Sequence, residues 1–292
     1  MTNIMTNCTI GAKVFPDQRT TILFKNKDLR QEGFVDTLHY DDTSFGPRGL
    51  DFATNNFVGY SIGVNKYGVA CCNAHIATTS ATAYDVLTEK IVAGSRTVEE
   101  AVDLVEREIR GGAEYQWCNM VVADLSQVAA IEVTAADFAV ETSSTTTVRT
   151  NHQLLLDEKP EGQQWEPGFD WGSQQRLAQA KRMLEGAKGY DDVVRLLRWH
   201  SQGRGTASIC RHRVPADAPE ATELETVYSY IVEIRRVEKD SQPQATFHVA
   251  KGQPCQNQHV ALPLKFPSTP VEREGEGLLA RFPGANYRVL RF

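Results

Sequence analysis

The order of strand-like and helix-like segments constrains the fold of this chain more than any other feature. Short segments rich in β-branched and aromatic residues fill the first 75 residues, and two amphipathic segments follow them. A second strand run, a second helix pair and a third strand run come after these. A doubly wound sheet would instead alternate single strands with single helices. The sequence therefore predicts an α+β fold in which two sheets pack face to face between outer layers of helices.

Local patterns define the predicted elements. Residues 97–100 read Thr-Val-Glu-Glu, the capping-box pattern that begins a helix. The predicted helices are Ala81–Val92, Ala101–Arg110, Ser173–Glu185 and Asp191–Ser201. The predicted strands are Thr20–Lys25, Phe34–Tyr40, Phe57–Val64, Tyr67–Asn73, Asn119–Leu125, Val128–Val133, Phe138–Thr142, Val227–Arg236 and Ala245–Ala250. Because no repeat or low-complexity tract divides the chain, we expect a single domain over residues 8–292. Residues 1–7 are interpreted as a short leader that processing removes.

Composition excludes several classes of protein. The 292 residues carry a net charge of −6 and are 41% hydrophobic, which is typical of a globular protein. Neither a membrane-spanning apolar run nor an export signal is present, so the sequence predicts no membrane partner and a cytoplasmic location. The cysteines are scattered rather than spaced as a disulfide framework, which agrees with a reducing compartment. They are Cys8, Cys71, Cys72, Cys118, Cys210 and Cys255.

Cys8 is the candidate nucleophile. It lies in the segment Asn7–Gly11, and the carboxylate of Asp28 follows about twenty residues later. An α-amino group titrates near ~8 and a thiol near ~8.5, so both can change charge at cellular pH. Cutting the Asn7–Cys8 bond would place a free amine beside the sulfur, where it could take the thiol proton. The alternative is that Cys8 is a small buried apolar residue on a first strand.

Three other motifs are weaker. Gly59–Gly63 matches the G-x-S-x-G pattern of serine esterases, but a turn and another strand follow it where that pattern requires a helix. Cys71–His75 and Cys210–His212 lack the paired ligand spacing of zinc sites, and neighbours in a strand point to opposite faces. We therefore interpret them as core residues and expect no metal. With no P-loop and no dinucleotide fingerprint, the sequence predicts no cofactor.

Charge is uneven along the chain. The segment Ser173–Arg213 contains nine Lys/Arg against three acids, a net +6 within a chain of −6. It is either the solvated face of two helices or a docking surface for an acidic partner or a phosphate-bearing arm. Nucleic acid is not expected, because aromatic residues are not interleaved with the basic ones.

Asn151 ends a strand run at the mouth of a loop. An asparagine in this position is either a simple turn residue or an amide that donates to an oxygen becoming negative during acyl transfer.

Six motifs in one order carry a family resemblance. They are Cys8-Thr9, Lys25–Asp28, Asn65–Asn73, Thr150-Asn151, Ser208–His212, and Thr226–Ser229 followed by Gly252–Cys255. In this order they resemble the N-terminal-nucleophile (Ntn) hydrolases. The most similar branch is the acyl-CoA:6-aminopenicillanic-acid acyltransferase-like cysteine family, with its relatives the bile-salt hydrolases and penicillin V acylases. The scheme is also similar to that of the condensing enzymes of lincosamide-type antibiotic assembly. The resemblance spans residues 8 to about 262.

The resemblance implies an αββα four-layer sandwich and a set of site residues. Cys8 would be the nucleophile with its freed amine as base, Asp28 would hold that amine, and Arg211 would favour thiolate. Asn73, by side chain or backbone, and Asn151 would stabilise the oxyanion. Substrate-binding roles fall on Lys25, Asn26, His152 and Arg176.

The chain departs from the family pattern at two points. Lys25 stands where the bile-salt branch has arginine, which keeps the charge but loses the two-pronged geometry. The leader is also very short for an acyltransferase precursor. If it stays attached, His75, His152 or His212 is the alternative base.

These features predict cysteine-dependent acyl transfer through an acyl-enzyme. The expected partners are an acyl thioester donor, on CoA or an acidic acyl carrier protein, and a small amine acceptor, which fits natural-product biosynthesis. The alternative is an amidohydrolase that cleaves a linear amide of an N-acyl compound with water. Oligomeric state stays open, since the Arg/Phe-rich tail from Arg281 to Phe292 could pack on a second subunit.

Overall fold

Two antiparallel sheets form the centre of the computed structural model, which describes residues 6–30, 33–156, 168–237, 242–273 and 277–284. The first sheet has six strands. In spatial order they are β12 (Thr146–Arg149), β1 (Thr6–Phe15), β2 (Thr20–Leu29), β13 (Glu225–Arg235), β14 (Gln244–Lys251) and β15 (Val260–Pro263).

The second sheet has seven strands, and a separate two-stranded ribbon accompanies it. Its spatial order is β11 (Phe138–Ser143), β10 (Val128–Val133), β9 (Trp117–Ala123), β8 (Ala70–Ala77), β7 (Ile62–Asn65), β4 (Ser44–Pro47) and β3 (Leu38–Tyr40). The ribbon pairs β5 (Gly49–Asp51) with β6 (Asn56–Val58).

Helices cover the outer face of each sheet. The helices are α1 (Tyr84–Gly94), α2 (Val98–Arg110), α3 (Phe169–Glu185), α4 (Tyr190–Leu197) and the short α5 (Pro270–Arg273). Apolar residues of α1 and α2 pack with the outer face of the second sheet, and those of α3 and α4 pack with the outer face of the first. A third apolar cluster fills the space between the sheets. The αββα sandwich predicted from the order of elements is therefore confirmed.

Most predicted elements form, with boundaries moved by a few residues. Val128–Val133 has the predicted bounds, and Thr97 caps α2 by accepting a hydrogen bond from the backbone N of Glu100. The predicted strand Phe57–Val64 instead divides into β6 and β7. Gly59 has φ +50° there, and a Cβ at this position would clash with the backbone oxygen of Asp85 at the start of α1. Packing against α1 thus explains the first glycine of the G-x-S-x-G pattern.

The pairing of β1 with β2 decides which side chains face which layer. Cys8 pairs with Lys27, and Asn7 pairs with Asp28. Cys8, Leu23 and Leu29 belong to the cluster between the sheets, whereas Phe24 belongs to the cluster beneath α3 and α4. Because side chains alternate along a strand, Lys27 shares the inter-sheet face with Cys8, and Asp28 lies on the helix-covered face.

The closing segment packs on its own chain. Phe282 is buried, with its ring 6.1 Å from that of Tyr228 and 6.3 Å from that of Phe247. The Arg281 guanidinium donates to the backbone oxygen of Ala261. Phe282 therefore packs within its own chain, whereas packing of the exposed Arg281 on a second subunit stays a prediction, and residues 285–292 lie outside the described parts. Of the helices described, none combines the length and apolarity needed to cross a membrane.

Candidate active site

Cys8 lies inside β1, two residues from its start, and its side chain is buried between the sheets with 3% of its surface exposed. The backbone N of Cys8 donates to Oδ1 of Asn151 over 2.8 Å. Asn151 follows β12, the edge strand that pairs with β1. The edge pairing therefore brings together two residues 143 positions apart, and the contact atom on Cys8 is the nitrogen that cleavage would turn into an amine.

Asn151 is fixed from three further directions. Its backbone N donates to Oγ of Ser173 over 3.0 Å, and its Nδ2 donates to the backbone oxygen of His75 over 2.8 Å. Its Oδ1 also accepts from Nη2 of Arg176 over 3.0 Å. Strands of both sheets and helix α3 thus hold one amide in place, which is more than a turn residue requires.

Asp28 and Arg211 form a buried charged pair on the helix-covered side of β2. Oδ2 of Asp28 lies 3.6 Å from Nε of Arg211, and its Oδ1 accepts from Oγ1 of Thr226 over 2.7 Å. Burial raises the pKa of Asp28 to about 6, while the guanidinium groups of Arg211 and Arg176 act in the opposite direction. The amide of Asn7, oriented to satisfy its neighbours, accepts from Arg211 through its oxygen. The residue before the candidate nucleophile therefore contacts the charged pair.

Lys25 lies in a buried polar network that joins the two sheets. Its ammonium group donates to Ser61 at the backbone oxygen (3.1 Å) and at Oγ (2.8 Å), and to Oδ1 of Asn73 (2.9 Å). Ser61, the serine of the G-x-S-x-G pattern, therefore accepts hydrogen bonds from Lys25, and only 2% of its surface is exposed.

Asn73 is committed to the same network. Its Nδ2 has three acceptors within 3.0 Å, which are the backbone oxygen of Tyr60, Oδ1 of Asp85 and Oγ1 of Thr88. These outnumber its two amide hydrogens. The Asn73 side chain thus has no hydrogen left for the predicted oxyanion role and instead positions Lys25. The backbone N of Asn73 donates to the backbone oxygen of Ser61 over 3.4 Å, and its oxyanion role stays a prediction.

Asn26 is a structural clamp rather than a substrate ligand. Its Nδ2 donates to the backbone oxygen of Leu197 over 3.0 Å and to that of Ile209 over 2.8 Å, and the side chain is fully buried. It ties the end of α4 and the segment just before Arg211 to strand β2. The predicted substrate-binding role is corrected accordingly, because both amide hydrogens already bond to backbone.

Arg176 is likewise buried completely. Its guanidinium donates to the backbone oxygen of Thr206 and to Asn151, and Arg211 donates to the same oxygen of Thr206. Burial lowers the pKa of Arg176 to about 9, and the neighbouring Arg211 acts in the same direction. Arg176 therefore orients Asn151, which corrects its predicted contact with substrate.

The burial of Arg176 and Arg211 reduces the number of exposed cations in the basic segment Ser173–Arg213. Two of its nine cations, Arg176 and Arg211, lie inside the site. The remaining seven are exposed, and they are Lys181, Arg182, Lys188, Arg195, Arg198, Arg204 and Arg213. The charge therefore divides between the site and the surface.

The three candidate histidine bases have different surroundings. Burial lowers the pKa of His75 to about 3, so this ring is neutral at cellular pH. Nδ1 of the half-buried His152 lies 2.7 Å from Oγ of Ser173, the hydroxyl that holds Asn151. His212 instead faces His200, with 3.0 Å between their Nε2 atoms. The structure therefore brings His152 to the site's outer edge and directs His212 into a separate cluster.

Sequence reasoning missed several residues that contact the site. The sequence motif assigns no role to Lys27, which is buried opposite Cys8 with its ammonium 3.3 Å from Oδ1 of Asp36. The period-2 alternation of β2 is the signal that could have found Lys27. Thr226 belongs to a motif of the family pattern, but the contacts of Thr226 and Ser173 could not be predicted locally. They depend on the pairing of β13 with β2 and on the packing of α3.

Comparisons with known proteins come from structure alone, since no family model and no curated sequence matches the chain. A variant of conjugated bile acid hydrolase from Clostridium perfringens aligns with a TM-score of 0.53 and 12% identity, covering 89% of this chain and 97% of that one. A second variant of the same hydrolase gives 0.53 and 11%, covering 90% and 98%. A Caenorhabditis elegans ortholog of N-acylethanolamine-hydrolyzing acid amidase gives 0.48 and 14%, covering 77% and 92%. The first two likenesses show that the chain shares the fold of the hydrolase over nearly its whole described length.

Proposed function

We propose that this protein is a cysteine acyltransferase that works through an acyl-enzyme on Cys8, after residues 1–7 have been removed. The observation that carries the proposal is the 2.8 Å hydrogen bond from the Cys8 backbone N to Asn151, whose Oδ1 also accepts from Arg176. Cleavage of the Asn7–Cys8 bond would leave a free amine at this nitrogen, on the same residue as the thiol, where it can serve as the base.

The surrounding groups fit the charge changes of acyl transfer. Nδ2 of Asn151 gives one hydrogen to the backbone oxygen of His75, and among the described residues no second acceptor competes for the other. We assign this second hydrogen to the oxyanion of the tetrahedral intermediate, where a fixed donor typically contributes about 10²–10³ in rate. Asp28 pairs across the sheet with Asn7, the residue that precedes the new amine. We therefore assign Asp28 to hold that amine.

Each step of the proposed reaction balances. The Cys8 sulfur attacks the carbonyl of an acyl thioester while the amine takes the thiol proton. The tetrahedral intermediate collapses with loss of the donor thiolate, which receives that proton and leaves as a thiol. An acceptor amine then attacks the acyl-enzyme, an amide leaves the site, and the amine's proton returns to the Cys8 sulfur. Neither redox change nor metal is needed.

Two features support a thioester donor carried on CoA or an acidic carrier protein. Arg204 and Arg213 are exposed beside the loop that carries Arg211. A groove of about 840 Å³ opens next to that loop, and its lining includes Arg30 and Arg213, which lie two positions after Asp28 and Arg211. Both arginines are partly neutralised by Glu223 and Glu225. We assign this groove to the phosphate-bearing arm of the donor, because two guanidinium groups are part of its lining.

Intact-mass spectrometry tests the proposal directly. The full chain is purified with a carboxy-terminal tag, its mass is recorded, and it is then incubated with an acyl-CoA. We expect a mass that lacks residues 1–7, followed by one added acyl group on the peptide that begins at Cys8. Cys8→Ala should keep the leader and take up no acyl group. Cys72→Ala, which removes another buried thiol of the same apolar cluster, should behave as the wild type.

The acceptor is identified in the same reaction. Amide product that grows with added amine, while free acid stays minor, supports acyl transfer. Free acid that forms at the same rate with or without amine would instead establish the amidohydrolase alternative. That alternative is supported by the conjugated bile acid hydrolase, which shares this fold. If wild type and Cys8→Ala were processed alike, took up the same number of acyl groups and turned over at the same rate, the cysteine mechanism would be wrong.

A further inference from the structure

Four potential metal ligands meet outside the Cys8 site. They are His200, which follows α4, Cys210 and His212 in the loop after it, and Cys255 in the turn after β14. Their ligand atoms all lie within 4.8 Å of one another, and in the described part of the chain this is the one such cluster. Of these four residues, the sequence expectation of no metal considered only Cys210 and His212, and folding brings a second His and Cys to them.

Two of the distances between these atoms are close to the edges of a coordination tetrahedron. Nε2 of His200 lies 3.0 Å from Nε2 of His212, which lies 3.4 Å from Sγ of Cys255. Zinc bonds of about 2.0–2.1 Å to nitrogen and about 2.3 Å to sulfur imply edges of about 3.3–3.8 Å. Since all four atoms lie within 4.8 Å of one another, one ion at the centre can reach them after side-chain shifts of up to about 1 Å.

The ligand set selects among metals. Two imidazoles and two thiols in tetrahedral order are typical of structural zinc. A two-iron cluster with His₂Cys₂ ligation places its histidines and cysteines on different iron atoms. The short contact between His212 and Cys255 instead puts one of each type at a single centre. With all four positions supplied by the protein, the centre is closed and structural.

The backbone already holds the ligand segments together. The backbone N of Cys210 donates to the oxygen of Trp199 over 2.9 Å, which joins the segments of Cys210 and His200. The guanidinium of Arg198 donates to the backbone oxygen of Pro254 over 2.8 Å, which joins α4 to the Cys255 turn. The cluster therefore does not depend on flexible side chains meeting by chance on a surface, and Cys210 itself is fully buried.

We propose that His200, Cys210, His212 and Cys255 bind one zinc ion that fixes the loop carrying Arg211. Cys210 and His212 flank Arg211 in the chain, so a metal bond on each side of it restrains its backbone. The zinc acts through Arg211 and not on substrate, and Arg211 in turn lies beside Asp28. The inference goes beyond the proposed acyl transfer, and it stands or falls independently of that activity.

Metal content tests the zinc site without any substrate. The full chain is produced with added zinc, passed through metal-free buffer and analysed by inductively coupled plasma mass spectrometry. We expect about one zinc per chain for the wild type and at least a roughly tenfold lower occupancy for Cys255→Ala. Cys118→Ala, which removes a buried cysteine of β9 outside the cluster, is the matched control and should keep its zinc. Cys255→His, which keeps four ligands, should retain zinc and shows that loss in the alanine variant is not misfolding.

Cobalt provides the second measurement. Co²⁺ exchanged into the wild type should give the visible bands of a tetrahedral centre and a thiolate charge-transfer band in the near ultraviolet, and Cys255→Ala should lose much of the latter. The proposal is overturned if the wild type carries no zinc, if Cys255→Ala and Cys118→Ala carry equal amounts, or if Cys210 and Cys255 are joined as a disulfide in the purified protein.

Discussion

Lys27 lies directly across the β1–β2 pair from Cys8, on the same face of the sheet. Side chains opposite each other in antiparallel strands have Cβ atoms about 4.5–5.5 Å apart. Burial lowers the pKa of Lys27, while the carboxylate of Asp36 acts in the opposite direction. The candidate nucleophile therefore has a cationic neighbour that the sequence motif alone does not identify.

We predict that Lys27→Met slows alkylation of Cys8 at neutral pH by about tenfold or more, because an ammonium group beside a thiol favours the reactive thiolate. The measurement is the rate of iodoacetamide labelling of the Cys8 peptide as a function of pH. The control is Lys13→Met, which replaces a half-buried lysine further along β1 from Cys8, and its Cys8 peptide should label at the wild-type rate. Equal rates for both variants would remove Lys27 from the site.

The raised pKa of Asp28 predicts an acid limb in the activity profile. Above about pH 6 the carboxylate is ionised and can hold the Cys8 amine, and below it the group becomes neutral. We expect kcat/KM to fall below that pH in the wild type, and Asp28→Asn to be slower at every pH and to lack this limb. Burial raises the pKa of Asp85 to about 7, so Asp85→Asn is the control. If the acid limb persisted in Asp28→Asn and vanished in Asp85→Asn, the titrating group would be Asp85 and the prediction for Asp28 would be wrong.

At the scale of single residues, the sequence predicted which residues lie at the site but not whether their side chains are exposed to substrate. The pattern around Cys8, Asp28, Asn151 and Arg211 identified residues that the structure brings near one another. It also placed Asn26 and Arg176 at substrate, although both are fully buried and bonded to backbone oxygens. A motif indicates that a polar side chain is needed but cannot say whether its partner is a ligand or a carbonyl of a distant segment.

At the scale of elements, Asn26 connects β2 to the end of α4 and to the loop of Arg211. We predict that Asn26→Ala lowers the free energy of unfolding by about 2–4 kcal/mol, because two buried carbonyls lose their donor. Urea denaturation measures the change. Asn257→Ala removes an exposed amide that donates to one backbone oxygen, and it should change stability by less than about 0.5 kcal/mol. Similar effects of the two substitutions would argue against a clamp.

The order of elements was predictable because hydrophobic periodicity is local, whereas their ends were not. Helix α2 begins after Thr97 as the capping box indicated. Strand β2 continues four residues past its predicted end, through Asn26–Leu29, because every one of those positions is buried by neighbours distant in sequence. Polar residues in a strand that is covered on both faces resemble a loop when only the sequence is considered.

At the scale of the whole molecule, His75 links global stability to pH. Its pKa of about 3 in the folded state lies below its value of 6.5 in the unfolded chain, so the unfolded state binds more protons as pH falls. The stability that His75 contributes is therefore fully present above pH 6.5 and is lost on acidification. Asp28 and Asp85, with raised pKa values, act with the opposite sign, so the net pH dependence of the wild type does not isolate His75.

We therefore predict a difference between variants. Relative to wild type, His75→Phe should gain about 2 kcal/mol in the free energy of unfolding between about pH 7 and about pH 5. The ring already packs against Phe52 and Tyr84, so phenylalanine fits the same contacts. Denaturant titrations at both pH values give the double difference. A constant offset between the two proteins would show that His75 does not titrate as described.

The segment Cys210-Arg211-His212 sends alternate side chains to two destinations, since its first and third residues join His200 and Cys255 while the middle one points to Asp28. Adding or deleting one residue within this tripeptide would therefore displace contacts of both groups at once. Loop grafts and libraries that vary the loop length should therefore keep Cys210, Arg211 and His212 together. Insertions in natural relatives should fall before or after these three residues.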